Sequence, residues 1–214
     1  MMPARIREIC ARAPVLPVLV IEDPAGARPL AEALVAGGLP VLEVTLRSPA
    51  ALPAIAEMAS VPGAVVGAGT LLTPEDAAAA QQAGARFGVS PGATPALLEA
   101  CAARRLPLLP GAATASEAMA LLAAGHDMLK FFPAEASGGV GALKALGGPL
   151  PQLSFCPTGG IGPDNAPAYL ALENVLCVGG SWVAPRALVA GRDWAGIEGL
   201  ARQAARLGGD HGRG

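Results

Sequence analysis

The stretch DMLKFFP (127–133) has the length and composition of a buried β-strand, with apolar residues on both sides of a single lysine. A short apolar run between turn residues is typical of a strand in a parallel sheet whose two faces are covered by helices. Seven similar runs occur elsewhere, and stretches of helical period lie between them. The eight runs are VLPVLVI (15–21), VLEVTLR (41–47), AVVGAGTL (64–71), FGVSPG (87–92), LPLLPGA (106–112), DMLKFFP (127–133), SFCPTGG (154–160) and VLCVGGSW (175–182).

The alternation of strands with helices predicts the fold class. Several helices have recognisable starts: TPED (73–76) and TPAL (94–97) offer a threonine cap followed by proline, and TASE (114–117) has the form of a capping box. Strands joined through helices pair in parallel by right-handed crossovers. Eight such units predict a single domain over 1–214, an α/β protein of the (β/α)8 TIM-barrel type.

Two further features of the fold concern the chain ends. We expect an extra helix over residues 3–12, before the first strand, and a frayed tail over 207–214.

The rival fold is an open doubly wound sheet, which normally carries a glycine-rich fingerprint after its first strand. The segment VIEDPAGARP (20–29) has no such fingerprint, so the barrel is favoured.

Composition excludes several classes of partner. The formal net charge of the 214 residues is −2 and the arginines are scattered, so we expect neither nucleic acid nor an anionic membrane surface as a partner. The longest uncharged run, 145–163, is broken by prolines and glycines and does not predict a membrane span. Four cysteines without CxxC spacing and two histidines predict no metal site. Prolines interrupt the apolar N-terminal run and an acidic pair follows it, which favours a cytoplasmic protein over a secreted one.

The second run, VLEVTLR, places charged residues on the inner face of the barrel. Alternate residues of a strand point to opposite faces, so Glu43, Thr45 and Arg47 share the inward face if Leu42 and Val44 face the helices. Active sites of this fold lie at the carboxyl ends of the strands, which favours a functional role for the pair of charges. The alternative is that Glu43 and Arg47 only pair with each other, although a buried ion pair gains little over apolar residues.

Lys130 is the most informative residue of the chain. It is one of two lysines against thirteen arginines, and it lies inside a strand where a buried ammonium group is costly. Burial favours the neutral amine, which can attack a carbonyl and form a Schiff base, whereas arginine stays protonated. The same alternation predicts Met128, Lys130 and Phe132 on the inner face. An ion-paired core lysine without catalytic function is the alternative.

Paired glycines follow the last two strands, in PTGGI (157–161) and GGSW (179–182). Glycine lets backbone N–H groups approach an anion, and the loops after strands seven and eight are the frequent phosphate site of this barrel. The alternative is that these glycines only permit tight turns. Glu135, which follows Pro133, is assigned a structural role.

Seven motifs in this order and at these intervals resemble the bacterial 2-keto-3-deoxy-6-phosphogluconate (KDPG) aldolase family, class I aldolases of the Entner–Doudoroff pathway. They are EVTLR (43–47), GAGT (67–70), SPG (90–92), LPG (109–111), KFFPAE (130–135), FCPTGGI (155–161) and GGSW (179–182). The resemblance spans roughly residues 5–207.

The resemblance implies a metal-free lyase without cofactor, a homotrimer of barrels, and a phosphorylated 2-keto acid as substrate. It implies that Lys130 is the Schiff-base lysine and Glu43 the general acid/base. The remaining roles concern substrate binding: Arg47 and Thr70 at the carboxylate, Pro91, Phe132 and Thr158 along the pocket, and Gly159, Gly160, Gly180 and Ser181 around the phosphate. The same family often cleaves 4-hydroxy-2-oxoglutarate as well.

Two alternatives to an aldolase use the same barrel. A phosphosugar isomerase or epimerase would use the phosphate loops without imine chemistry, and those with a metal need inward His and Asp ligands that this chain lacks. A catalytically silent phosphate-binding barrel would have no need of Lys130 together with Glu43.

Overall fold

The computed structural model describes residues 2–208, with side chains from residue 6 onward. Strands and helices alternate along almost all of it. The strands are β1 (Val15–Leu19), β2 (Val41–Thr45), β3 (Val65–Gly69), β4 (Phe87–Val89), β5 (Leu108–Leu109), β6 (Gly111–Ala112), β7 (Met128–Phe131), β8 (Ser154–Pro157) and β9 (Val178–Gly180). The helices are α1 (Met2–Cys10), α2 (Ala27–Ala36), α3 (Ala51–Ala59), α4 (Pro74–Gln82), α5 (Pro95–Ala103), α6 (Ala115–Ala123), α7 (Gly139–Gly147), α8 (Ala166–Leu170), α9 (Arg186–Ala190) and α10 (Trp194–Ala205).

The strands form two parallel sheets, which confirms the α/β class. One sheet has six strands in the order β5-β4-β3-β2-β1-β9, and the other has three in the order β6-β7-β8. From β1 to β5, neighbouring strands of the larger sheet follow each other in sequence through a helix, as right-handed crossovers require, and β9 returns to pair with β1. Two isolated parallel bridges, Phe155 with Val175 and Thr158 with Gly179, connect β8 to the segment that contains β9.

Pro110 divides the fifth apolar run into two short strands, where the sequence predicted one. Leu108 and Leu109 pair with β4, whereas Gly111 and Ala112 pair with β7. Proline has no N–H to donate, so a ladder hydrogen bond is missing at this position. Its carbonyl still accepts a 2.9 Å hydrogen bond from the N–H of Lys130. The two sheets therefore meet on either side of one residue.

Side-chain alternation along the strands produces two apolar clusters. The larger one lies between strands and helices and includes Leu42, Val44, Leu129 and Phe131. The smaller one is formed by the opposite faces of the strands together with α1. Its buried members are Ile6, Ile9, Cys10, Leu16, Val41, Val65, Phe87, Val89, Leu109, Met128, Cys156 and Cys177. The strand faces that were expected to point inward, along Val41 to Arg47 and Met128 to Phe132, are therefore the faces that form the smaller cluster. Helix α1 covers this cluster at one end.

The predicted helix caps are present. Thr73, Thr94 and Thr114 each accept a hydrogen bond from the backbone N–H three residues later. Thr114 forms a capping box with Glu117, as its sequence predicts, and Thr73 forms a second one with Asp76. The caps place the starts of α4, α5 and α6 directly after the preceding strands and loops.

The first two residues of the tail that is expected to fray lie within the described part of the chain. Arg206–Gly208 form a short 3-10 helix, and Leu207 is half-buried and packs against the larger cluster. That contact supplies apolar burial, which a frayed end lacks. The rest of the tail, 209–214, lies outside the described residues.

Two kinds of feature are absent from the part of the chain that the structure describes. Within residues 2–208, no helix combines the length and the apolar character needed to cross a membrane. In the same range, no three His, Cys, Asp or Glu side chains are grouped so that they could hold a metal ion.

Candidate active site

Lys130 and Glu43 come together from opposite sheets. Lys130 is on β7 and Glu43 is on β2, and Nζ of the lysine lies 3.2 Å from Oε1 of the glutamate. Lys130 is 6% exposed and Glu43 is 2% exposed, so the pair is almost completely removed from solvent. The geometry thus places a potential nucleophile beside a potential base.

The partner of Glu43 is Lys130 and not Arg47, so the alternative of a Glu43–Arg47 ion pair is wrong. Nε of Arg47 donates a 3.2 Å hydrogen bond to Oγ1 of Thr45, which in turn donates to the carbonyl of Leu19 at 3.0 Å. Thr45 is buried. The hydroxyl therefore fixes the guanidinium stem, and the terminal nitrogens of Arg47 remain available to a ligand.

Gly69 at the end of β3 makes room for the carboxylate of Glu43. A Cβ atom at residue 69 would lie 2.6 Å from Cγ of Glu43 and closer still to Oε1. Real Cβ atoms essentially never come so close, so any side chain here would displace the glutamate. Sequence reasoning did not include Gly69 in the site, although the motif GAGT contains it. The signal was a glycine inside a strand, which often marks a close approach.

Phe132 lies beside the lysine. Its ring centroid is 5.3 Å from Nζ of Lys130, within the range of a cation–π contact with the ammonium form. Phe132 is joined to Pro133 by a cis peptide bond. The aromatic ring forms one apolar side of the lysine's surroundings.

Thr70 has a backbone conformation that is rare for threonine. Its φ of +62° is in the left-handed region, which costs a β-branched residue about 1–3 kcal/mol. Such outliers cluster at ligand sites because the surrounding structure holds them in place. Thr70 directly follows Gly69, and the next residue, Leu71, donates its N–H to the carbonyl of Val89 at 3.0 Å.

Two further glycines make room for predicted site residues, Gly111 for Pro91 and Gly179 for Thr158. A Cβ atom at Gly111 would clash with the carbonyl of Pro91, and Gly111 is in register with Lys130 on the adjacent strand. A Cβ atom at Gly179 would lie 3.0 Å from Cγ2 of Thr158, with Oγ1 nearer still. Both glycines were absent from the sequence-predicted site, and both permit a predicted site residue to reach its place.

The first glycine loop, after β8, is held in a conformation that glycine favours. Gly159 has φ +102° and Gly160 has φ +78°. Asn165 fixes the loop from the other side, since its Nδ2 donates to the carbonyl of Gly160 at 3.0 Å and its Oδ1 accepts from the N–H of Gly162 at 2.8 Å. The turn therefore requires these glycines, whether or not an anion binds there.

The second glycine loop adjoins a cavity of about 680 Å³ at the ends of β1, β2 and β9. Arg47 and Ser181 line it together with Val18 of β1 and Val20 just beyond that strand. Among the described residues that form its wall, neither Lys130 nor Glu43 occurs. The buried pair therefore lies outside this wall, to which Arg47 belongs. Nothing in the first strand was predicted for the site, because apolar residues such as Val18 carry no chemical signal.

Comparison with known proteins connects this geometry to a family. The family model of KDPG and KHG aldolase matches residues 6–200. A 2-dehydro-3-deoxy-phosphogluconate aldolase of Zymomonas mobilis is 55% identical over 201 residues, covering 94% of this chain and 95% of that protein. The chain belongs to the KDPG and KHG aldolase family. The resemblance inferred from the seven motifs is thereby confirmed.

Solved structures of KDPG aldolases agree with the fold. The Zymomonas mobilis ZM4 enzyme, solved with 3-phosphoglycerate, is 53% identical with a TM-score of 0.91, covering 96% of this chain and 97% of that one. The Legionella pneumophila enzyme, with pyruvate captured as a covalent carbinolamine intermediate, is 46% identical with a TM-score of 0.91 and covers 93% and 97% of the two chains. The family fold is therefore reproduced over almost the whole length.

Proposed function

We propose that this chain is a class I aldolase that cleaves 2-keto-3-deoxy-6-phosphogluconate into pyruvate and glyceraldehyde 3-phosphate. The observation that carries the proposal is the buried pair, with Nζ of Lys130 3.2 Å from Oε1 of Glu43. A class I aldolase needs an amine that attacks a ketone and a base that acts at the neighbouring hydroxyl. The covalent pyruvate intermediate in the Legionella relative supports imine chemistry in this family.

The first stage is formation of the imine on Lys130. Glu43 accepts a proton from the ammonium group, and the neutral amine attacks C2 of the keto acid to give a carbinolamine. Glu43 returns that proton to the carbinolamine hydroxyl, which leaves as water, so that a protonated imine and the Glu43 carboxylate remain. The apolar surroundings, which include Met128 and Phe132, exclude bulk water while the imine exists.

The second stage is cleavage of the C3–C4 bond. Glu43, directly or through one water molecule, takes the proton of the C4 hydroxyl, and the bonding electrons move into the protonated imine to form an enamine. Glyceraldehyde 3-phosphate leaves with the new carbonyl at C4. Glu43 returns the proton to C3, and attack of water on the resulting imine releases pyruvate and restores the amine of Lys130.

The remaining site residues hold the substrate. Arg47 binds the carboxylate of the keto acid through its terminal nitrogens, with Thr70 beside it, because its Nε is already occupied by Thr45. Pro91, Phe132 and Thr158 line the pocket around the reacting carbons. Backbone groups of Gly159, Gly160 and Gly180, with the hydroxyl of Ser181, bind the phosphate at the ends of β8 and β9.

The proposal includes a closed (β/α)8 barrel formed by one domain over 1–214. Two observations support closure. The two sheets meet at Pro110 on one side, and the bridges from Phe155 and Thr158 connect β8 to the β9 segment on the other. The smaller apolar cluster then fills the barrel, with α1 as the extra helix across its amino-terminal end.

Assembly, location and substrate range complete the proposal. The chain forms a homotrimer, as the resemblance to its family implies. It works in the cytoplasm, where its four free and buried cysteines remain thiols. It also cleaves 4-hydroxy-2-oxoglutarate, in line with the description of its family. It uses no cofactor, because the imine serves as the electron sink.

Trapping with borohydride tests the proposed function. Pyruvate with borohydride is expected to inactivate the enzyme irreversibly and to add one pyruvate-derived mass to the peptide that contains Lys130. Lys144, the other lysine, lies on α7 and is exposed, so it serves as the internal control. A label on Lys144, no label at all, or cleavage without trapping contradicts the proposal. A barrel isomerase or a silent barrel would show neither cleavage nor trapping.

A further inference from the structure

Glu135 packs beneath the first glycine loop through the carbon atoms of its side chain. Its backbone N–H donates a 3.1 Å hydrogen bond to the carbonyl of Gly159. A Cβ atom at Gly160 would lie 2.6 Å from Cγ and 2.8 Å from Cβ of Glu135. The methylene groups, and not the carboxylate, therefore face the loop to which we assign the phosphate.

The carboxylate of Glu135 is turned toward a different neighbour. One of its oxygens, Oε1, accepts a hydrogen bond from the hydroxyl of Tyr169 on α8. The same oxygen would lie 3.4 Å from a Cβ atom on Gly139, the first residue of α7. The positive end of the α7 dipole favours a negative charge there. The two ends of one side chain are thus held by two sets of contacts.

Tyr169 is suited to act as a permanent donor to this carboxylate. It is completely buried, and it is the only tyrosine in the sequence. Burial, followed by the hydrogen bond and the charge of Glu135, raises the pKa of Tyr169 well above its ordinary value. The hydroxyl therefore keeps its proton. Asn165, which directly precedes the helix that carries Tyr169, donates a 3.0 Å hydrogen bond to the carbonyl of Gly160.

We propose that Tyr169 is a positioning residue for the substrate phosphate, because its hydroxyl holds the Glu135 carboxylate away from the Gly159–Gly160 loop. This inference rests on the proposed function, which places the phosphate at that loop. A carboxylate released from Tyr169 is free to turn toward the phosphate, and two negative charges a few ångströms apart repel each other. The structure thus tolerates an acidic residue beside an anion site by fixing the direction of its charge.

The test compares Tyr169→Phe with Tyr169→Phe/Glu135→Gln on two substrates. In the single variant, the KM for the phosphorylated substrate should rise by about 5- to 20-fold through repulsion, while the KM for 4-hydroxy-2-oxoglutarate changes by less than about twofold. The double variant removes the charge, so its KM for the phosphorylated substrate should return to within about threefold of the parent value. The dissociation constant of inorganic phosphate, measured without turnover, should follow the same pattern.

Ser154→Ala is the matched control, because it removes a hydroxyl that is bound to Arg7 at the start of β8. It should leave both KM values unchanged. The role of Tyr169 is overturned if Tyr169→Phe changes the KM values of both substrates equally or changes neither. It is also overturned if the KM of the double variant for the phosphorylated substrate is as high as that of the single variant. If the parent enzyme cleaves neither substrate, the proposed function is contradicted instead. The dissociation constants of inorganic phosphate for the parent and the two variants then test the role of Tyr169.

Discussion

Gly69 and Glu43 face each other so closely that a Cβ atom on residue 69 would lie 2.6 Å from Cγ of the glutamate. Gly69 and Thr45 are in register on β3 and β2, so Gly69 lies beside the strand that carries Glu43. A side chain at residue 69 would push the carboxylate away from Nζ of Lys130. The shape of the site therefore depends on a residue that has no chemistry of its own.

Gly69→Ala should reduce kcat by about 10²-fold, because a displacement of about 1 Å at a reacting group has an effect of this size. The protein should still fold, since the added group is one methyl. The measurement is kcat on the phosphorylated substrate together with the thermal unfolding midpoint. Gly199→Ala on α10 is the control, because a Cβ atom at residue 199 would meet no neighbour. Equal kcat values for the two variants would contradict the prediction.

The sequence predicted that Glu43 and Lys130 share one face, but it did not predict how the neighbouring residues fit around them. Alternation along VLEVTLR and DMLKFFP places Glu43 and Lys130 on one inward face, because strand parity is a local property. The contacts of Gly69, Gly111 and Gly179 depend on neighbouring strands, whose register no single strand encodes. A glycine in a strand signals a close approach, but it does not identify the partner.

For the fold, the sequence predicted the order of strands and helices but not the features that depend on tertiary contacts. The order of strands and helices follows from apolar runs and threonine caps such as Thr73 and Thr114, which are local signals. The division of the fifth run at Pro110 depends on which neighbour each half meets, and that is a tertiary property. The packing of Leu207 against the core likewise depends on a contact far along the chain.

Thr45→Val should raise the KM for both keto acids about 10-fold and leave kcat within about threefold, since lost hydrogen bonds to a charged group are worth about 1.5–3 kcal/mol. The substitution removes the hydroxyl that holds Nε of Arg47 at 3.2 Å and that donates to Leu19. Thr45→Ser keeps the hydroxyl and is the matched control. Steady-state kinetics on both substrates measures the effect, and a serine variant as impaired as the valine variant would exclude this role of the hydroxyl.

The two glycine loops should matter only for the substrate that carries a phosphate. Ser181→Ala removes a donor at the second loop, and Gly160→Ala adds a Cβ atom that would lie 2.6 Å from Glu135 at a residue with φ +78°. Both should raise the KM for the phosphorylated substrate by about 10-fold or more, as loss of a hydrogen bond to a charged group predicts.

Gly162→Ala is the control for the loop variants, because its added methyl group would meet no neighbour and its backbone is not in the left-handed region. The quantity to compare is the ratio of kcat/KM for the phosphorylated substrate to kcat/KM for 4-hydroxy-2-oxoglutarate. A ratio that stays constant in Ser181→Ala and Gly160→Ala would mean that the loops serve folding and not phosphate binding.

Glu43→Gln should separate imine formation from bond cleavage. The amide keeps the size of the side chain at 3.2 Å from Nζ of Lys130 but cannot accept the proton of the C4 hydroxyl, so kcat should fall by about 10² to 10⁴. Borohydride should still trap pyruvate on Lys130, more slowly if Glu43 also accepts the ammonium proton. Glu57→Gln, an exposed change on α3, is the control. Turnover within about threefold of the parent would leave Glu43 without a role as the base, whereas loss of trapping together with turnover would make it essential for the imine itself.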